Sequence, residues 1–240
     1  MASPVRHCIW STGRVAAKNP WIDSKPLVAP MHLAILTFDG FNELDSLIAL
    51  GLLNRIKRPD WRVSLMAPTP LVTSMNGVRL ERQAGFDELA DCTAVLVGSG
   101  NRTRELARDA ALLEQLAVLD PGRQLIGAQC SGTLLLARLG LLDGVPGCTD
   151  LTTKPWVQEA GIEVLNQPFF ARGNLATAGG CLASSYLAAW AIARLLGRDA
   201  AAEVLHYVAP VGEKEDYVQR ALGNIEPYLS HPSREVASAC

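Results

Sequence analysis

The sequence predicts an α/β fold built on a mostly parallel central sheet. Three observations carry that prediction. Short apolar runs alternate with segments of helical period from residue 32 onward, and several runs end on glycine or another small residue. The chain, 240 residues with 49% hydrophobic content, is also long enough to bury one large core. Strands that alternate with helices place helices on both faces of a parallel sheet, and ligands then collect at the carboxyl ends of the strands.

In order, "HLAILTF" (32–38) reads as a buried strand, "ELDSLIALGLLNRI" (43–56) as an amphipathic helix and "WRVSLMAP" (61–68) as a second strand. The stretch "TSMNGVRLERQAGFDEL" carries Asn76-Gly77, the turn of a small hairpin. "TAVLVGSG" (93–100) is a strand ending on glycines, "RELARDAALLEQLAVL" (104–119) a single helix, "QLIGAQ" (124–129) a strand and "SGTLLLARLGLL" (131–142) a helix. One more strand is expected in "NLATAGG", followed by two helices in "CLASSYLAAWAIARLLG" and "RDAAAEVLHYVAP". Residues 1–30 are interrupted by Pro4, Pro20, Pro26 and Pro30, hold Asp23 as their only acid, and are expected to form a flexible arm. Met31 is the expected working start of one domain over 31–228, with 229–240 as a frayed tail.

Composition narrows the function. Twenty-two Lys and Arg against 24 Asp and Glu give a net charge of −2, without a dense basic block, so a nucleic-acid surface is not expected. The six cysteines form no CxxC pair and have no histidine at ligand spacing, which points away from zinc and from a disulfide framework and toward a reducing cytoplasm. The longest apolar helix pattern, around 182–196, contains Ser184, Ser185 and Arg194, so no membrane span is expected. "GSGNRT" (98–103) lacks the third glycine of a dinucleotide turn and the Lys of a phosphate loop, so no nucleotide cofactor is expected either.

The most informative stretch is Ala128-Gln129-Cys130-Ser131-Gly132, where an apolar run passes directly into a helical pattern. A strand that turns sharply into a helix at a nucleophile needs small neighbours, because the turn crowds them. There the helix N-terminus is expected to favour a thiolate, and the backbone N–H of Ser131, with that of Ser99 or Gly100, could face a developing negative charge. The other reading of Cys130 is a small buried hydrophobe packed under the turn. Of four histidines none falls between Leu33 and Leu205, so a Cys-His-acid triad is not expected, and His206 reads as a helix-surface or packing residue. Glu43 and Asp45 are the alternative partners: either brings a carboxyl group toward Cys130 from a neighbouring strand end, or one of them caps the helix.

Together, "AILTFDGFNELD", "VGSGNRTRE", "AQCSGTLLLARLGLLDG", "TAGGCLASSYLAAW" and "VAPVGEKEDY", in that order, resemble the ThiJ/PfpI superfamily over about residues 31–225. These are class I glutamine-amidotransferase-like domains that include isonitrile hydratases, deglycase and glyoxalase-like proteins and PfpI-type peptidases. The resemblance implies a flavodoxin-like three-layer sandwich, a homodimer, and no metal or organic cofactor. It matches Cys130 to the elbow nucleophile and Asp45 to the acid that hydrogen-bonds it. It looks closest to the isonitrile hydratase branch, which has Asp where deglycase-like relatives have Glu.

The chain departs from that pattern in two places: Asp150 stands where many relatives carry histidine, and Ser131 where isonitrile hydratases often carry threonine. The leading expectation is an isonitrile hydratase-like lyase. The alternatives are a redox-sensing or ligand-binding domain with an oxidisable cysteine, and a glyoxalase/deglycase-like or amidase/peptidase-like hydrolase. The sensor half of a transcription regulator is not expected, since no helix-turn-helix segment follows. Trp156 is placed as a pocket wall, Cys181 as a packing residue, and Tyr186 and Trp190 as core or interface aromatics.

Overall fold

The computed structural model describes residues 30–229; apart from Pro30 and Leu229, the expected arm and tail lie outside the described residues. The chain begins with β1 (Met31–Leu36), α1 (Glu43–Leu53) and β2 (Trp61–Met66). A hairpin of β3 (Leu71–Thr73) and β4 (Arg79–Glu81) turns at Asn76-Gly77, where Gly77 has φ +89°. Next come β5 (Ala94–Val97), α2 (Thr103–Leu106), α3 (Ala110–Leu116), β6 (Leu125–Gln129), α4 (Gly132–Arg138) and α5 (Lys154–Glu159). The chain then forms β7 (Phe169–Arg172), β8 (Leu175–Ala178), α6 (Ser184–Leu196), α7 (Arg198–Val208) and α8 (Lys214–Ile225).

Six strands form the central sheet in the order β2-β1-β5-β6-β8-β7, and only β7 runs antiparallel to its neighbour. The predicted flavodoxin-like sandwich is therefore the observed architecture. The period of β1 shows how one strand serves two cores: Leu33 and Ile35 pack with α1, α6, α7 and α8, while Ala34 and Leu36 face the opposite layer of α3, α4 and α5. Trp190 on α6 is fully buried in the first of these layers, and Tyr186 packs at its edge. Among the described residues no helix is long and apolar enough to cross a membrane.

Four departures from the sequence reading have local causes. The single helix expected over 104–119 is broken, because the Asp109 carboxylate accepts the N–H groups of Ala111 and Leu112 at 3.0 and 3.1 Å and starts α3 afresh. The short α5 and the edge strand β7 were too brief to show a period. Helix α8 hid in a polar stretch whose burial rests on Ala221, Leu222 and Ile225. The helix expected over 131–142 ends at Arg138.

Trp190→Ala should cost about 3–5 kcal/mol, as truncations of large buried aromatics do. Urea denaturation of the variant against the parent measures it.

Candidate active site

Four strand ends meet at the carboxyl edge of the sheet. The loop after β1 brings Asn42 and Asp45, the loop after β5 brings Ser99 and Gly100, β6 runs into Cys130, and the turn after β8 brings Cys181. Asn42, Ser99, Gly100, Cys130, Cys181, Asp150 and Trp156 line a hollow of about 420 Å³, and Asp45, which does not line it, has a carboxylate oxygen within 4.8 Å of both sulfurs. A larger and more open groove of about 720 Å³, between α7 and α8, is lined by His206, Tyr207, Lys214 and Glu215. It contains no nucleophilic cysteine, and His206 there stands 3.5 Å from Glu215, far from the Cys130 pocket, as its reading as a helix-surface residue expected. Chemistry therefore places the site at the strand ends.

Cys130 is the elbow. Among the described residues it is the only non-glycine with a left-handed backbone, at φ 46°, a conformation that costs about 1–3 kcal/mol. Its surroundings hold it there: its N–H donates to the Ala178 carbonyl at 2.8 Å, and its carbonyl accepts from the Thr149 hydroxyl at 2.8 Å and the Thr133 N–H at 3.2 Å. The small residue two places on is also explained. A Cβ on Gly132 would stand 2.7 Å from the carbonyl oxygens of Val97 and Gly98, because α4 begins in contact with the end of β5.

Asp45 sits in the first turn of α1 and is 1% exposed. The cap of that helix is Asn42, whose Oδ1 accepts the Leu44 N–H at 3.1 Å, so Asp45 is released from the capping role. The Ser99 hydroxyl donates to Asp45 Oδ2, and the Ser184 hydroxyl donates to the Asp45 carbonyl at 2.6 Å. Oδ1 is buried and accepts no conventional hydrogen bond, yet the sulfurs of Cys130 and Cys181 and an Asp45 carboxylate oxygen all lie within 4.8 Å of one another.

The electrostatics overturn one expectation. Burial first, and the Asp45 charge second, push the Cys130 thiol far above its ordinary range. Helix α4 has only seven residues, and its N-terminus does not offset a desolvated carboxylate at contact range. Burial also raises the Asp45 carboxyl, against the opposing hydrogen bonds from Ser99 and the two thiols. Loss of the thiol proton to solvent would leave two buried negative charges side by side, whereas its transfer to Oδ1 leaves the pair with one charge throughout. A carboxylate oxygen of Asp45 thus stands where it could accept the thiol proton.

The remaining candidates divide. Ser99 binds the carboxylate through its hydroxyl, and its carbonyl accepts the Asn42 N–H at 2.9 Å. The Gly100 N–H, expected as an oxyanion donor, is occupied by the Ser131 hydroxyl at 3.1 Å, which is itself 2.8 Å from the Thr103 hydroxyl. Of the expected backbone donors, the Gly100 N–H is therefore taken by the Ser131 hydroxyl.

Glu43 does not line the pocket: it binds the Ser74 hydroxyl and, at 2.8 Å, the Asn76 amide, tethering the hairpin. Asp150 does line it, but its Oδ1 accepts the Thr152 and Thr153 N–H groups at 2.9 Å each, and its charge opposes ionisation of both Cys130 and Asp45. It shapes the turn before α5. Trp156 forms the expected wall, with the Arg104 guanidinium 4.7 Å from its ring centroid.

Three contributors escaped the sequence reading. Gln129 donates to the Gly180 carbonyl at 3.0 Å and points the same amide at the Cys130 sulfur, 3.6 Å away. Asn42 donates to the Cys181 sulfur at 3.1 Å. Cys181, expected only to pack, opens onto the pocket and is partly exposed. Its place just beyond a strand's carboxyl end was the signal that could have found it. Among the described residues, Asp45, Cys130 and Cys181 are also the one group with the ligand types and spacing to hold a metal ion.

A family model described as the DJ-1/PfpI family matches residues 31–193. The chain belongs to this family. A deglycase of Thermococcus kodakarensis is 27% identical over 148 residues, covering 60% of this DJ-1/PfpI chain and 87% of that protein. Among solved structures, a ThiJ/PfpI family protein from Pseudomonas syringae superposes with a TM-score of 0.68 at 19% identity, over 90% of this chain and 97% of that one. DJ-1 of Schizosaccharomyces pombe gives 0.65 at 15% identity, over 75% of this chain and 100% of that one. At these identities the two structures show the shared fold.

The proton arrangement sets a pH signature. Alkylation of Cys130 by iodoacetamide should rise to a plateau once the pair has lost its first proton and stay flat between pH 7 and 9. In Asp45→Asn the thiol must ionise to solvent, so the rate should climb close to tenfold per pH unit over that range. Mass-spectrometric rates for the Cys130 peptide read both profiles, and the other buried thiols do not compete, since burial pushes Cys92 and Cys148 up to about 12.

Proposed function

We propose that this DJ-1/PfpI protein is a cofactor-independent cysteine enzyme acting on a small carbonyl electrophile, in the manner of a glyoxalase or deglycase. The observation that carries the reading is the Cys130 sulfur within 4.8 Å of a buried Asp45 carboxylate, beside a pocket sized for a small molecule. Similarity to a deglycase supports the substrate class.

In the proposed step the thiol proton moves to Asp45 Oδ1 as the sulfur attacks the carbonyl carbon. A C–S bond forms, the carbonyl π pair moves to oxygen, and the proton on Oδ1 then passes to that oxygen to give a hemithioacetal. The Ser131 N–H stabilises the oxygen while it is charged. The site carries one negative charge before and after, which is how it works without a histidine.

A second reading is favoured by one residue. Asp45 is shorter by a methylene than the glutamate the resemblance assigns to deglycase-like relatives, and it matches the isonitrile hydratase branch. There the thiolate would attack the terminal isonitrile carbon, the proton from Asp45 would go to that carbon, and water would convert the thioimidate into an N-substituted formamide and free thiol.

Two substrate panels separate these readings: α-oxoaldehydes such as methylglyoxal with their amine adducts, and alkyl isonitriles. Carbonyl turnover is expected, with Cys130→Ala abolishing it and Asp45→Asn lowering kcat by about 10²-fold, the usual scale for a lost general acid–base. Turnover of isonitriles alone would transfer the assignment to the second reading. No Cys130-dependent turnover in either panel would overturn both.

A further inference from the structure

Cys181 is not used by the proposed reaction, yet it shares the pocket. Its sulfur lies within 4.8 Å of both the Cys130 sulfur and an Asp45 carboxylate oxygen. The chain brings the two thiols together through adjacent parallel strands: Gln129 at the end of β6 pairs with Ala178 at the end of β8, so each cysteine follows its strand by one to three residues. We propose that Cys130 and Cys181 form a reversible disulfide, in which Cys181 resolves a sulfenic acid formed on Cys130 by a hydroperoxide.

Four features make this pair more than two neighbouring cysteines. The sulfurs share one carboxyl neighbour, the buried Asp45, an oxygen of which lies within 4.8 Å of both. Burial first, and the Asp45 charge second, push the Cys181 thiol up, and the Asn42 amide, donating to its sulfur at 3.1 Å, works against them. Cys181 is partly exposed, so a reductant can reach it, whereas Cys130 is 4% exposed. The segment carrying Cys181 is a three-residue turn, Cys181–Ala183, behind Gly180 at φ +87°, and forming the roughly 2.0 Å S–S bond requires this turn to shift toward Cys130. Among the described residues Cys92 and Cys148 share none of these features, being buried elsewhere in the fold.

The chemistry closes in two steps. In the first, the Cys130 proton moves to Asp45 and the thiolate attacks the hydroperoxide's terminal oxygen. The O–O bond breaks, an S–O bond forms, and the departing alkoxide takes the proton from Asp45 and leaves as alcohol; sulfur is oxidised by two electrons and the peroxide reduced. In the second, Asp45 accepts the Cys181 proton, the Cys181 thiolate attacks the Cys130 sulfur, and the S–O bond breaks. Hydroxide leaves with the proton from Asp45 as water. A dithiol reductant returns both thiols by exchange. The second step is intramolecular between groups already in one pocket, so it outruns attack by a second peroxide, and oxidation stops short of the irreversible sulfinic acid.

This inference rests on the reading of Asp45 as the base for Cys130, so its test carries a readout for each. The reduced full chain is treated with one to two equivalents of tert-butyl hydroperoxide in the presence of a chelator, blocked with N-ethylmaleimide and mapped by mass spectrometry. The expected product is a peptide pair joined through Cys130 and Cys181, lost again after dithiothreitol. In Cys181→Ser, Cys130 should instead be trapped by dimedone, and without dimedone should gain two oxygens that dithiothreitol does not remove. Sulfinic acid on Cys130 in the parent chain, with no Cys130–Cys181 link, would overturn the disulfide, as would the same products from parent and Cys181→Ser. The flat alkylation profile of Cys130, measured on the same reduced sample, tells the two failures apart. A flat profile with no link defeats the disulfide alone, and a rising profile defeats the Asp45 reading as well.

Discussion

The site is governed by a limit on buried charge. Asp45 and Cys130 stand almost fully inside the protein, and burial is the first cause raising each of them. Two anions in contact there would each lack the water that makes an ion tolerable. One anion is supportable, because the Ser99 hydroxyl holds one carboxylate oxygen and the two thiols stand within 4.8 Å of the group. The useful property of the pair is therefore its capacity to move a single negative charge from oxygen to sulfur without importing or exporting any. A histidine achieves activation differently, by creating an ion pair, and among the described residues none lines this pocket.

That limit explains why so much of the fold is spent on position. Cys130 is held in a left-handed conformation by bonds to Ala178, Thr149 and Thr133, which come from the neighbouring strand, the loop before α5 and its own helix. The Asp45 main chain is fixed by Ser184 on α6, whose hydroxyl donates to its carbonyl, and the Ser99 hydroxyl holds its carboxylate. Glu43, only two residues away, turns to the hairpin and holds Ser74 and Asn76 in place. The alternating burial of β1 makes this possible, since the loop after it must leave a strand gripped by cores on both faces.

The sequence made the sheet legible because parallel strands buried on both faces read as unbroken apolar runs, as in "HLAILTF" and "TAVLVGSG". The elbow was legible for a related reason: Gly132 is small where bulk would strike the end of β5. The thiol's electrostatics were not legible. A helix N-terminus can be inferred from local pattern, but desolvation depends on which distant residues close over the sulfur, and Asp45 is 85 residues away in the chain. Hydrogen-bond assignments were hidden likewise. That Gly100 would spend its N–H on Ser131, or that Asn42 would free Asp45 by taking the cap, follows from three-dimensional contact between loops. Cys181 was underread because its glycine pair invited a packing explanation. Gly179 does pack tightly against the Thr149 backbone, but the residue two places on faces the pocket.

Charge conservation at the pair also bears on what can enter. With Asp150 lining the same hollow, the pocket already holds acidic groups, and each opposes a further negative charge near Cys130. The nearest cation shown against the wall, Arg104, lies over the Trp156 ring, where its guanidinium faces the indole. A neutral electrophile can approach the sulfur without desolvating a charge of its own, and the negative charge that forms on it is quenched by the proton waiting on Asp45. An anionic substrate would have to place its charged end toward Arg104 and its reactive carbon toward Cys130. In the proposed reaction the site would thus select first for neutrality at the reacting end, and only then for the shape that Trp156, Asn42 and Thr153 leave open.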